Sequence, residues 1–399
     1  MRRFFKLVIV IVSSSLLLGG FIFFWVGDRP KVLRALYPVS AALSAPTLSC
    51  SQDAPEWLAK VSRYSLWGNS SLAGQLAYIS VDGVIHECHH GWQGLPLGSE
   101  LVDAQTRFRY ASMTKLLTAD LALRYMQVGG LMLDSQVLKI LAFTSDHVDE
   151  RLNRITTENL LRHSAGFDRL KSTDPMVVRN NQPWCPYNIS PLAKVRLDFN
   201  PGERYAYHNI NYCLLGMLLE SVDSEGRSFR DLMEREYGLS ERGIRFIDGP
   251  YLEDEVTYDF RNSGFYGQDY WKYFDFYALS SAMGLSGSAV ALASLISSLQ
   301  KDGEYLITQA PIEPICDETV KRGCYGYALF SYRPVGGTVR VHVQPGLLYG
   351  APSLAIIDEH GGVTVWVGNG TRPTGSSTDA MLDHLYSALD NHYAAKPSR

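Results

Sequence analysis

The stretch that decides the fold reads Tyr110-Ala111-Ser112-Met113-Thr114-Lys115-Leu116-Leu117-Thr118-Ala119-Asp120-Leu121-Ala122-Leu123. From residue 112 to 127 it predicts a helix. Leu116, Leu117, Ala119, Leu121, Ala122, Leu123 and Met126 cover most of its circumference. A helix apolar almost all round is buried in a core. Asp120 and Arg124 are the main charged exceptions, spaced to pair i,i+4. Gly129-Gly130 ends the helix. Ser112 stands at its start, where the positive end of the helix dipole favours a developing alkoxide. Lys115 lies one turn deeper on the same face. Burial lowers a lysine's pKa, so a neutral amine there can take the proton of a serine that is otherwise a poor nucleophile.

The Ser-x-x-Lys spacing alone is not specific. Ser298-Leu299-Gln300-Lys301 has it too, near the end of a predicted surface helix before Asp302-Gly303. Context must separate the two. Downstream comes Asn200-Pro201-Gly202-Glu203-Arg204-Tyr205-Ala206-Tyr207-His208-Asn209, then a helix-like Tyr212-Cys213-Leu214-Leu215-Gly216. Read alone, a Tyr two residues before an Asn is a turn; on an extended loop it puts a phenol and an amide on one side. The phenolate can shuttle a proton, and the amide can hold both substrate and lysine.

Around this centre the pattern of elements is mixed. Gln75 to Val81 and Val84 to His90 flank Asp82-Gly83 and read as a hairpin. Thr106 to Tyr110 is another short strand. Residues from about 150 to 300 hold helical pieces and long loops, strongly aromatic between Tyr251 and Tyr277. Core packing is the better reading of those rings than a pocket wall. In the last third, Gly326–Tyr332, Thr338–Val343, Ser353–Ile357 and Val363–Val367 are β-rich runs, and Ala380–Tyr393 closes with a helix. Strands at both ends with helices between predict an α/β fold of the α+β kind. One antiparallel sheet is built from both ends of the domain and flanked by helices, with a mostly helical region inserted.

Bulk composition excludes some functions. The chain has 399 residues, 46 % hydrophobic and 20 % charged, with a net charge of −4, so nucleic acid is not an expected partner. His86-Glu87-Cys88-His89-His90 looks like a metal cluster, but alternate strand residues face opposite ways and cannot all converge. No metal or cofactor is expected. The six cysteines are Cys50, Cys88, Cys185, Cys213, Cys316 and Cys324. The even count and the close pair Cys316/Cys324 suit an oxidising compartment, and Cys50 is one candidate partner for Cys88.

Arg2, Arg3 and Lys6 precede an uncharged run from Leu7 to Val26, long enough as a helix to rise ~30 Å. Small residues suited to signal cleavage, Ala41 to Ala45, come too far downstream. The expectation is an uncleaved anchor over 1–28, a linker over 29–54 and a catalytic domain over 55–397. The membrane is then a partner through the N-terminal helix. The protein is placed as single-pass in a bacterial inner membrane, its domain on the periplasmic or extracellular side.

Four motifs occur in order: Ser112-x-x-Lys115, Leu160-Leu161-Arg162-His163-Ser164-Ala165-Gly166, Pro201-Gly202 to Asn209, and Ala282-Met283-Gly284-Leu285-Ser286. Together they resemble the class C β-lactamase-like and penicillin-binding-protein-like serine hydrolases, which include D,D-carboxypeptidases, aminopeptidases and esterases. The resemblance runs from about Gln75 to Gly370 and implies the β-lactamase/transpeptidase-like fold. It implies acyl-enzyme chemistry on a small-molecule or peptide substrate, an amide, peptide or ester of the cell envelope. Ser112, Lys115 and Tyr207 would be catalytic and Asn209 substrate-binding.

The third family motif is usually Lys or His, any residue, then Gly. Counting back from Gly350-Ala351-Pro352-Ser353, it falls on Gln344-Pro345-Gly346, a departure. By resemblance the backbone N–H groups of Ser112 and Leu347 would form the oxyanion hole. His342 faces the same side of the strand as Gln344, so either is a candidate to reach the cleft. Neutral Gln344 weakens recognition of a substrate carboxylate, which favours neutral esters and amides. It also leaves open a catalytically weak relative that acts as an envelope binding or scaffold protein. His208, between Tyr207 and Asn209, reads as a tolerated loop residue.

Overall fold

The computed structural model describes residues 29–177, 181–262, 272–301, 308 and 316–395. Ten strands are present among them: β1 Ser49–Cys50, β2 Gly74–Ile79, β3 Ile85–His90, β4 Phe108–Arg109, β5 Arg245–Phe246, β6 Leu285–Gly287, β7 Phe330–Tyr332, β8 Val341–Leu348, β9 Ala351–Asp358 and β10 Val363–Gly368. Seven form one antiparallel sheet in the order β1-β3-β2-β10-β9-β8-β7. The N-terminal hairpin joins the C-terminal meander where β2 pairs with β10, so the sheet is assembled from both ends of the domain. The hairpin turns at Gly83, whose φ of 81° is a left-handed conformation that glycine adopts without strain. β4, β5 and β6 make a second, small sheet in the order β4-β6-β5.

The period-2 alternation of the long strands divides their side chains between two cores. Leu76, Tyr78, Leu354, Ile356 and Trp366 face one core. It is covered by the helices α2 (Glu56–Trp67) and α6 (Ser377–Ala394), the latter contributing Met381, Leu385 and Leu389. Ala77, Ile79, Ala355, Ile357, Val363 and Val365 face the other. There they meet α5 (Ala289–Lys301) and, beyond it, α3 (Thr114–Gln127) and α4 (Ile210–Val222). The mixed α/β architecture is the expected one.

Residues 29–54, read from composition as a linker, contain α1 (Tyr37–Ser44), with Ala41 and Ser44 buried. The Tyr37 hydroxyl donates to the Leu66 carbonyl, and Arg261 Nη1 donates to the Leu33 carbonyl at 2.6 Å. The placement as a single-pass inner-membrane protein, partnered with the membrane through its N-terminal helix, is corrected. Among the described residues no helix is long and apolar enough to cross a membrane. The longest of them, Ser377–Ala394, carries Asp379, Asp383 and Asp390 and packs as an amphipathic cover on the sheet. Leu7 to Val26, on which that expectation rested, lie outside the described residues.

All six cysteines pair: Cys50 with Cys88, Cys185 with Cys213, Cys316 with Cys324. The first links β1 to β3 across a register that sets Cys50 opposite Cys88.

Candidate active site

Ser112 sits where a strand becomes a helix. β4 ends at Arg109, a 3₁₀ turn spans Ala111–Met113, and the α-helix runs on from Thr114. Ala111 is held at φ 48°, a conformation an L-residue keeps only when its surroundings over-determine it. The surroundings are plain: Tyr110 N donates to the Leu285 carbonyl at 2.9 Å, Ser353 Oγ to the Tyr110 carbonyl at 2.7 Å, and Leu285 N to Thr114 Oγ1 at 3.1 Å. Sheet, small sheet and helix all grip this junction.

Lys115 is fully buried, and its Nζ has three acceptors around it: Ser112 Oγ at 3.1 Å, Asn209 Oδ1 at 2.9 Å and the Ala282 carbonyl at 2.8 Å. Burial lowers its pKa to about 7; the Asp174 carboxylate pulls it back up and the Arg169 guanidinium pushes it down. Near neutral pH a large share of the amine is therefore unprotonated. Tyr207 OH lies 2.7 Å from Ser112 Oγ on the other side. Burial pushes that phenol well up, so Tyr207 is a neutral phenol rather than the phenolate read from the sequence.

Asn209 is the N-cap residue of α4, yet its side chain makes no cap bond. Such a residue ordinarily satisfies the first turn of its helix. Here Oδ1 faces Lys115 and Nδ2 donates to Asp174 Oδ2 at 2.6 Å. The local sequence gives no hint of Asp174, because the contact bridges two loops far apart in the chain. His163, from the second motif, packs tilted against the Tyr207 ring with centroids 4.4 Å apart and is buried, which favours its neutral imidazole. His208 is buried as well and faces Phe167, its Nδ1 accepting from Ile210 N at 3.2 Å.

The opposite wall is β8. Gly346 lies so close that a Cβ there would stand 2.7 Å from the Tyr110 carbonyl and 3.1 Å from Ser112 N. Only glycine lets this strand meet the Ser112 amide. Leu347 is 57 % exposed and lines the cleft. Gln344 is buried, and its Nε2 donates to the Ser112 carbonyl at 2.9 Å while Oε1 has no partner. Its amide thus braces the Ser112 backbone. His342 is not brought to the cleft. It lies two residues, ~7 Å, along the strand, with Nδ1 3.2 Å from Ser331 Oγ on β7.

A cavity of about 540 Å³ opens between the walls, lined among others by Ser112, Tyr207, Asn209, Arg169, Asp174 and Gln344. Arg169 and Asp174 were not singled out from the sequence. None of the described aromatic residues between Tyr251 and Tyr277 lines it; Tyr258, Phe260 and Phe274 pack in the core. Ser298, the other serine with the right spacing, donates Oγ to the Leu295 carbonyl of its own helix at 2.8 Å. In the histidine-rich strand, His89 Nδ1 pairs with Glu87 at 2.8 Å and His90 Nε2 contacts the Ser71 carbonyl at 3.1 Å.

The β-lactamase family model matches residues 65–240. A putative fimbrial assembly protein FimD, serogroup D, of Dichelobacter nodosus is 34 % identical over 364 residues, 91 % of each chain. Among solved structures, D-amino acid amidase from Ochrobactrum anthropi superposes with a TM-score of 0.67 at 16 % identity, over 85 % of this chain and 98 % of that one. The β-lactamase/D-alanine carboxypeptidase of Yersinia pestis gives 0.68 at 15 % identity, over 84 % and 97 %.

Proposed function

This chain belongs to the β-lactamase-like serine hydrolase family, and from that premise we propose that it hydrolyses an amide, peptide or ester through an acyl-enzyme on Ser112. One observation carries the reading: Lys115 Nζ, Ser112 Oγ and Tyr207 OH form a chain of 3.1 and 2.7 Å contacts around a single hydroxyl. The unprotonated Lys115 amine takes the Ser112 proton as Oγ attacks the carbonyl carbon. The carbonyl oxygen becomes an oxyanion held by the Ser112 and Leu347 N–H groups. Tyr207, kept protonated by burial, gives its proton to the leaving nitrogen or oxygen and recovers one from Lys115. Water then cleaves the acyl ester by the reverse path. Asp174 holds Asn209, and Asn209 holds Lys115; Asp174 is a positioning residue in this scheme.

Amidase and D-alanine carboxypeptidase relatives of the same fold suggest D-amino-acid amides or short D-peptides and esters as substrates. Three disulfides fit an exported, cell-envelope protein. The experiment is hydrolysis of a panel of D-amino-acid amides, D,D-dipeptides and short esters by wild type and Ser112→Ala. Turnover that vanishes with Ser112 supports the reading; equal turnover by both proteins refutes it.

A second reading has one observation behind it: the long-range relative is described as a fimbrial assembly protein. In that reading the fold is an envelope binding or scaffold module. Complementation of a deletion strain separates them, since a scaffold keeps its role in Ser112→Ala and a hydrolase loses it.

A further inference from the structure

Two arginines line the cavity, and they differ in their partners. Arg322 is tied to Asp379 at 2.6 Å. Arg169 has no carboxylate within ion-pair distance among the described residues. Its neighbour Arg204, by contrast, is paired with Asp168 at 2.9 Å. The guanidinium carbon of Arg169 stands 5.4 Å from the centre of the Tyr207 ring, whose hydroxyl touches the nucleophile. The backbone that presents Arg169 is braced. Asp168 N donates to Asp198 Oδ2 at 2.9 Å, Leu170 N to Asp168 Oδ1 at 3.0 Å, and Ser172 Oγ to the Asp168 carbonyl at 3.0 Å. The loop starts at Gly166, φ 105°, where a Cβ would stand 2.8 Å from the Phe199 carbonyl.

A cation on a fixed loop, unpaired and facing a reaction cavity, is suited to bind an anionic group, most strongly a carboxylate through two parallel N–H···O bonds. In the scheme proposed above Tyr207 protonates the leaving group, which would put Arg169 on the leaving-group side. Resting on the acyl-transfer reading above, we propose that Arg169 determines specificity there, selecting substrates whose leaving group carries a carboxylate. The charge that the third motif lacks at Gln344 is then supplied from the opposite wall.

The test uses two esters of one acyl group, one with glycolate as leaving group and one with glycolamide. kcat/KM is measured for wild type, Arg169→Gln and Arg169→Lys, at low and high salt. Wild type is expected to prefer the glycolate ester by about tenfold or more. Arg169→Gln should remove most of that ratio, chiefly through KM, and Arg169→Lys should keep part of it. Added salt should narrow the wild-type ratio. A wild-type ratio near one, or a ratio unchanged in Arg169→Gln, overturns the assignment. Labelling of Ser112 by a fluorophosphonate separates the two levels. If Ser112 is labelled and the glycolamide ester is turned over while the ratio ignores Arg169, only the Arg169 proposal fails. Labelling without turnover of either ester also overturns it. If Ser112 is neither labelled nor needed, the acyl-transfer reading fails and this proposal with it.

Discussion

The two walls of the cavity are built by different means. On the helix wall, Ser112 and Lys115 meet because they are one turn apart, and Tyr207 and Asn209 come together because they are two residues apart on one loop. Short spacing encodes that geometry directly. On the strand wall, Gln344 and Gly346 take their roles from what lies behind them, the Ser112 carbonyl and amide. Arg169 and Asp174 arrive on a loop whose position only the whole fold sets. Residues that act through local spacing hold the reacting groups, whereas residues placed by tertiary structure brace them and shape what enters.

If that contrast is right, the largest loss comes from the helix wall. Lys115→Met keeps volume and burial but removes the proposed base and all three Nζ contacts; kcat/KM should fall by about 10²- to 10⁴-fold. Ser298→Ala, with the same spacing but a hydroxyl bonded to its own helix, should stay within about twofold of wild type. A comparable loss in both variants breaks the comparison.

The pH profile sharpens it. A base with a pKa of about 7 is active only when unprotonated, so kcat/KM should rise about tenfold per pH unit below pH 7 and level off above it. The Asp174 carboxylate raises the Lys115 pKa, so Asp174→Asn should move the midpoint to lower pH. A midpoint that moves upward, or a profile with no inflection near neutrality, contradicts the assignment of Lys115 as base.

The strand wall should give the smaller effects. Gln344→Leu removes the side-chain donor to the Ser112 carbonyl, a cost of about 1 to 2 kcal/mol, or ~5- to 30-fold in kcat/KM for neutral and anionic substrates alike. His342→Ala, away from the cleft beside Ser331, should change kcat/KM less than about twofold. A larger effect of His342 than of Gln344 would show that the wall is read wrongly.

The same division explains what could be read before the structure. The β2–β3 hairpin, the strands β8 to β10 and the buried helix at Thr114 follow from β-prone runs bounded by turn residues and from an apolar circumference. Ser112, Lys115, Tyr207 and Asn209 stand out only through the order of the motifs and the family resemblance, since Ser298-x-x-Lys301 has the same spacing. The spacing sets His342 and Gln344 on one strand face, but facing says nothing of distance along the strand. Gln344 was placed on the right strand without its acceptor, because a long-range backbone contact leaves no pattern in sequence. Asp174 and Arg169 sit in an irregular loop with no periodicity to flag them. The helix at Tyr37–Ser44 was missed because its apolar face is short and meets a neighbour, Leu66, that no spacing predicts.

The most direct measurement of the central claim is intact-mass and peptide-mapping spectrometry after reaction with a fluorophosphonate. The account predicts one adduct per chain, on the peptide holding Ser112. It should form fastest above pH 7, be absent in Ser112→Ala and be unchanged in Ser298→Ala. An adduct that persists in Ser112→Ala, or that maps to another residue in wild type, contradicts it.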